Sequence, residues 1–182
     1  MKHSFIPHLT STIAALLIGT SANAMDECLN GWWEADYFVL GEQFMDTMGA
    51  TGIQMTGAVY MRLSDPESGE YFVYDLTLEP EIPDIPPMMV TLNGGADFSM
   101  EAEEGVFVAV MGVFSYVASV NSPILGEMEI PFDQSTSPFG GGLGGYRCTD
   151  EALELFGGDD AVVDRFIKRW VRIDFDPRTE GL

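Results

Sequence analysis

The chain has 182 residues, and 29 Asp and Glu against 8 Lys and Arg leave a formal charge of −21. A surface this poor in cations cannot neutralise a phosphate backbone, so nucleic-acid binding is excluded. The only histidines are His3 and His8, so the rest of the chain has no imidazole for a general acid–base pair, a Ser-His-Asp arrangement or the usual zinc sites.

Residues 1–24 read as a secretory signal. Lys2 supplies the positive start, Ile13 to Ile18 the apolar run, and Ala22-Asn23-Ala24 the small-x-small cleavage site. The run is far shorter than the roughly 20 residues of a membrane span. The expectation is therefore a chain that does not span the membrane, with residues 25–182 as one domain, periplasmic or secreted. Loss of Lys2 with the signal makes the balance more negative still. Such charge keeps molecules apart in solution and suits a saline habitat; recognition of a cationic partner is the alternative. The two cysteines, Cys28 and Cys148, have one intramolecular pairing, and an oxidising compartment favours it.

From Gly31 the chain reads as a short strand. Asp36 then has the character of a helix cap, Tyr37, Leu40, Phe44 and Met48 recur at helical spacing, and Gly49 is placed to end the helix. Ile53, Met55, Val59, Met61 and Leu63 alternate with Gln54, Thr56, Tyr60 and Arg62, which predicts a strand with one face in a core. Asp65 to Gly69 has turn residues, and Phe72, Tyr74, Leu76 and Leu78 alternate on the return, so a β-hairpin is expected. Pro80, Pro83, Pro86 and Pro87 predict a stiff extended loop over 80–87.

Met88 to Leu92 and Ala96 to Ala102 read as two strands around Asn93-Gly94-Gly95. Val106 to Val120 is too long and apolar for one ordinary strand, and Gly112 is a natural bulge or corner within it. Gly126 to Phe132 is a further strand, followed by a polar loop. The glycines from Gly140 to Gly145 read as a spacer; no Lys follows them, so they are no phosphate-binding loop. Tyr146 to Cys148 and Ala152 to Phe156 read as late strands. Near the end Val162, Val163, Phe166, Ile167, Trp170 and Val171 fall on one helical face, opposite Arg165, Lys168, Arg169 and Arg172. Alternation from Trp170 to Phe175 leaves a strand open as the other reading.

Many short strands with a single helix predict a mainly β protein, a single closed antiparallel barrel of about 8–10 strands with a short N-terminal helix and a C-terminal helical or extended segment. Cys28-x-x-Gly31-x-Trp33, the helix after Asp36, paired strands, a glycine-rich stretch and Tyr146-x-Cys148 together resemble a bacterial exported family with a lipocalin-like, or calycin-like, barrel. That resemblance implies that Gly31 and Trp33 close one barrel end, with Arg172 or Arg169 packed over the Trp ring by cation–π contact.

The remaining chemistry is thin. Glu101, Glu103 and Glu104, or Asp174 and Asp176, are the acids available for glycoside hydrolysis or calcium, but in so acidic a chain a solvated surface is the plainer reading. Met45-x-x-Met48, Met88-Met89 and Met100 raise Cu(I), whereas methionine as core filler is the simpler account. No metal or cofactor is expected, and an enzyme is the less favoured class. The leading expectation is an exported, non-catalytic protein binding a small apolar ligand in a barrel lined by Tyr, Phe and Met. The alternative is a module that docks on a protein partner or anionic surface through Arg165, Lys168, Arg169 and Arg172.

Overall fold

The computed structural model describes residues 26–64, 68–124, 126–131, 141–157 and 167–179. The signal expected at 1–24, the turn expected at 65–67, residues 132–140 and the segment 158–166 with Arg165 and Phe166 lie outside the described residues.

Ten strands are present among the described residues: β1 Gly31–Ala35, β2 Gly52–Ser64, β3 Ser68–Glu81, β4 Met89–Glu103, β5 Val106–Phe114, β6 Val117–Ser122, β7 Gly126–Pro131, β8 Gly142–Cys148, β9 Ala152–Gly157 and β10 Arg169–Ile173. Every pairing is antiparallel. Eight of them close a ring in the order β1, β2, β3, β4, β5, β8, β9, β10, and β10 pairs back onto β1 through Trp33 opposite Arg172 and Ala35 opposite Trp170. Closure removes the open edges that a sheet of this length would otherwise expose.

Strands β6 and β7 are not in the ring. The first part of β4, Met89 to Asn93, pairs with β6, and the second part, from Ala96, pairs with β5. Beyond the barrel, β2, β3 and β4 therefore run on into a side sheet completed by β6 and β7. All three long strands break step at one level. Gly57 (φ 83°) sits in the shift between Thr56 and Ala58, Tyr74 and Asp75 (φ 42°) in the shift on β3, and Gly94 (φ 124°) on β4. A methyl group on Gly57 would run into the Asp75 carbonyl, and one on Gly94 into that of Ser115, so only glycine lets these backbones approach.

The helix α1, Tyr37–Met48, begins where the Asp36 carboxylate accepts from the backbone N–H groups of Phe38 and Val39, and ends at Gly49 (φ 66°). It is not an N-terminal element of the fold but sits between β1 and β2, with Gly41 laid on Ile53 and Met55. A short 3-10 turn, Glu27–Leu29, precedes β1 instead.

Several local expectations need correction. Residues 89–103 form one bent strand rather than two, because Asn93-Gly94-Gly95 changes direction without ending the ladder. The long apolar run does break, with Gly112 in a bulge opposite Asp97 and a corner at Ser115 and Tyr116. Pro80 lies within β3, opposite Ile53. The glycine stretch is a barrel strand from Gly142 on, not a spacer: a methyl on Gly144 would stand 2.7 Å from the Phe107 ring and 2.9 Å from the Phe156 carbonyl. At the C-terminal side, where the sequence left helix and strand both open, residues 169–173 are strand.

Candidate functional site

Barrel interior first. Tyr71 stacks on Phe98 at 4.6 Å between ring centres and on Trp170 at 5.8 Å, and Trp33, Leu153 and Trp170 have no surface that a water molecule can touch. Eight strands leave an interior about as wide as such side chains, and here rings and methionines such as Met61 and Met100 occupy it. Burial pushes the Tyr71 and Tyr116 hydroxyls well above the usual tyrosine range. Among the described residues the inward layer is packed as a core.

One barrel end is a clasp. Cys28 and Cys148 are within disulfide-bonding distance, with Cα atoms 6.0 Å apart. The Trp33 indole N–H donates to the Leu29 carbonyl at 3.0 Å, and the Arg172 guanidinium lies 4.2 Å from the centre of the Trp33 ring. The same guanidinium donates to the carbonyls of Asn30 (2.8 Å) and Cys28. Gly31, at φ 140°, leaves room for it, since a methyl there would be 2.6 Å from Nη1. The Tyr146 hydroxyl donates to the Asp26 carboxylate, and burial together with that bond raises it to about 12. Apart from the buried Arg172 Nε, the polar groups named here bond to other parts of the chain, which makes the clasp structural.

The basic segment is likewise engaged. Arg169 pairs with Asp36 and Glu154, each at 3.2 Å, and so bridges the helix cap to β9. Ile167 and Trp170 are buried in the core. The structure thus brings Gly31, Trp33 and Arg172 to one barrel end, and sets Arg169 apart on the flank of α1.

An open concavity lies elsewhere, on the outer face where the long strands bend. A cleft of about 470 Å³ is walled by Tyr60, Phe72 and Tyr74, floored by the Asn93-Gly94-Gly95 backbone, and bounded by Ser115 and Arg178. The strand shift at Asp75 places the rings there: Tyr71 and Val73 point into the barrel, so Phe72 and Tyr74 point out. The Asp75 N–H is held by the Asn93 side-chain oxygen at 2.8 Å, and Ser115 donates to the Gly95 carbonyl from both backbone N–H (2.9 Å) and hydroxyl (3.0 Å). The floor is thereby fixed before anything binds.

Beside the cleft runs a ladder of cations and rings. Arg178 lies 4.9 Å from the Trp32 ring and 5.4 Å from the Phe72 ring, and Arg62 lies 5.6 Å from Trp32. Asp176 orients Arg178 with both oxygens, and that guanidinium holds the Asp176 carboxyl below its usual range. Glu34, opposite Tyr60, is raised by burial, and the Tyr60 hydroxyl is raised by burial and by Glu34. Among the described residues no group of three or more acids or cysteines could hold a metal ion, and no helix is long and apolar enough to cross a membrane. No family model, curated protein or solved structure matches this chain.

The sequence reading missed Tyr60, Tyr74 and Asn93 as site residues. The available signal was Asn93-Gly94-Gly95 inside a strand pattern, which marks a close approach of backbone or ligand.

Proposed function

We propose that this chain is an exported, non-catalytic binding protein of lipocalin-like build, working in the periplasm or outside the cell. Its small, largely apolar ligand lies in the outer cleft against Phe72 and Tyr74 rather than inside the barrel. The observation that carries this reading is the contrast between a packed interior and an open aromatic recess whose floor is bare backbone. Three rings with a few polar groups at the margin are the composition of small-molecule sites in general. An origin beyond the inner membrane is supported by the signal-like residues 1–24 and by the cysteine pair. The other reading, docking through the basic segment, retains Lys168 and Arg165, since Arg169 and Arg172 are committed to internal partners.

Native mass spectrometry of protein taken from its own host tests the proposal, with a retained small molecule as the expected result. A neutral apolar dye such as N-phenylnaphthylamine serves as a direct probe. Its affinity should fall roughly tenfold in Tyr74→Ala, the loss expected for one stacking ring. Dye binding unchanged by Tyr74→Ala and Phe72→Ala, or abolished only by changes at Phe98 inside the barrel, would sink the outer-cleft reading.

A further inference from the structure

Among the described residues, β7 has β6 along one edge and no strand along the other. It is six residues long, Gly126–Pro131, and Glu127, Met128, Glu129 and Ile130 are all exposed. Its two faces differ sharply. Met128 and Ile130 lie opposite Val120 and Ala118, both buried, so the apolar layer of the side sheet runs outward to these two residues and stops there, 43% and 39% exposed. Glu127 and Glu129 lie on the other face, opposite Asn121 and Ser119.

A free edge offers a row of backbone donors and acceptors to any extended segment that meets it. We propose that β7 is a docking edge for an extended peptide segment in which apolar residues alternate with Lys or Arg. The apolar side chains would continue the layer begun by Ala118 and Val120, and the cations would sit beside Glu127 and Glu129. Alternation has to match on both faces at once, so the two carboxylates and the two apolar side chains together fix which way round the incoming strand lies. A second copy of this chain is the wrong occupant, because pairing β7 with itself would bring Glu127 and Glu129 of the two copies together, and like charges across strands destabilise. The net charge of −21 favours the approach of a cationic segment and repels another copy.

The test titrates the full chain with a blocked six-residue peptide of alternating Val and Lys and reads backbone amide shifts. Binding should perturb residues 126–131, and the double change Glu127→Lys, Glu129→Lys should weaken it roughly tenfold while creating affinity for a Val/Glu peptide of the same length. Thermal midpoint and circular dichroism of the double variant report that it is folded. Of two Val/Lys peptides, one N-methylated at every Val and the other at every Lys, the one whose methyl groups lie on the row facing β7 should not bind, and the other should. Equal binding of both methylated peptides, an unchanged affinity in the double variant, or shifts confined to other strands would each overturn the proposal. None of these outcomes depends on the aromatic cleft.

Discussion

Asp75 decides which way two aromatic rings face. Strict alternation back from Leu76 and Leu78 would put Phe72 and Tyr74 in the core, and the sequence reading grouped all four. The extra residue at Tyr74-Asp75 inverts the parity, so Tyr71 and Val73 go inside and the cleft acquires its walls. An Asp in the left-handed region leaves no compositional mark, whereas Gly57 and Gly94 on the neighbouring strands do. Asp75→Gly is expected to leave stability unchanged or slightly improved, and Asp75→Val to cost about 1–3 kcal/mol in urea unfolding, because a β-branched residue at φ 42° is strained. At the clasp, Arg172→Leu keeps much of the bulk but strands the carbonyls of Cys28 and Asn30. A loss of about 2–3 kcal/mol is expected in the same measurement, and a loss below 0.5 kcal/mol, the scatter of an ordinary surface change, would show those bonds to be dispensable.

At the scale of elements, legibility followed side-chain pattern. The boundaries of α1 were readable because Asp36 and Gly49 are capping residues and the apolar spacing between them is helical. The strands on either side of it were readable too, from Gly31 and from the alternation at Ile53; that both belong to one closed ring was not, since caps say nothing of neighbours. The first part of β8 was hidden for the opposite reason: Gly142, Gly144 and Gly145 have no side chains to alternate, and Gly144 and Gly145 let Phe107 and Phe156 press onto the backbone. Gly144→Val should therefore unfold or severely destabilise the protein, although composition alone would class the site as a tolerant linker. Asp36→Ala removes the cap of α1 and one partner of Arg169, and should cost about 1–2 kcal/mol by thermal or urea unfolding. The side sheet was invisible in sequence because one strand, β4, changes partners from β6 to β5 at Gly94 and Gly95.

For the whole molecule, charge and covalent closure set the response to conditions. With −21 formal charges, self-repulsion opposes the compact state, and salt screens it over about 10 Å at 0.1 M. The thermal midpoint should rise as sodium chloride is added from low ionic strength. Cys28 and Cys148 are 120 residues apart in sequence, so replacing both by Ser should cost about 4–5 kcal/mol on the chain-entropy account. Alkali acts through the tyrosines. Tyr146 ionises near its ordinary value of 10 when unfolded and at about 12 when folded, so its contribution is complete below pH 10 and is lost as the pH rises through 12. In Tyr146→Phe, stability should fall less steeply across that interval, with the buried Tyr71 and Tyr116 accounting for the slope that remains.

The seam between β1 and β10 makes assembly wait for residues 170–172. Until Trp170 and Arg172 emerge, Trp33 has neither its neighbouring strand nor its cationic cover, and the ring stays open at both sides of the gap. Pairings so distant along the chain form slowly. A polypeptide emerging N-terminus first, whether from the ribosome or through an export channel, therefore remains threadable until β10 has emerged. A version that stops before Arg169 should remain protease-sensitive however long it is left to mature.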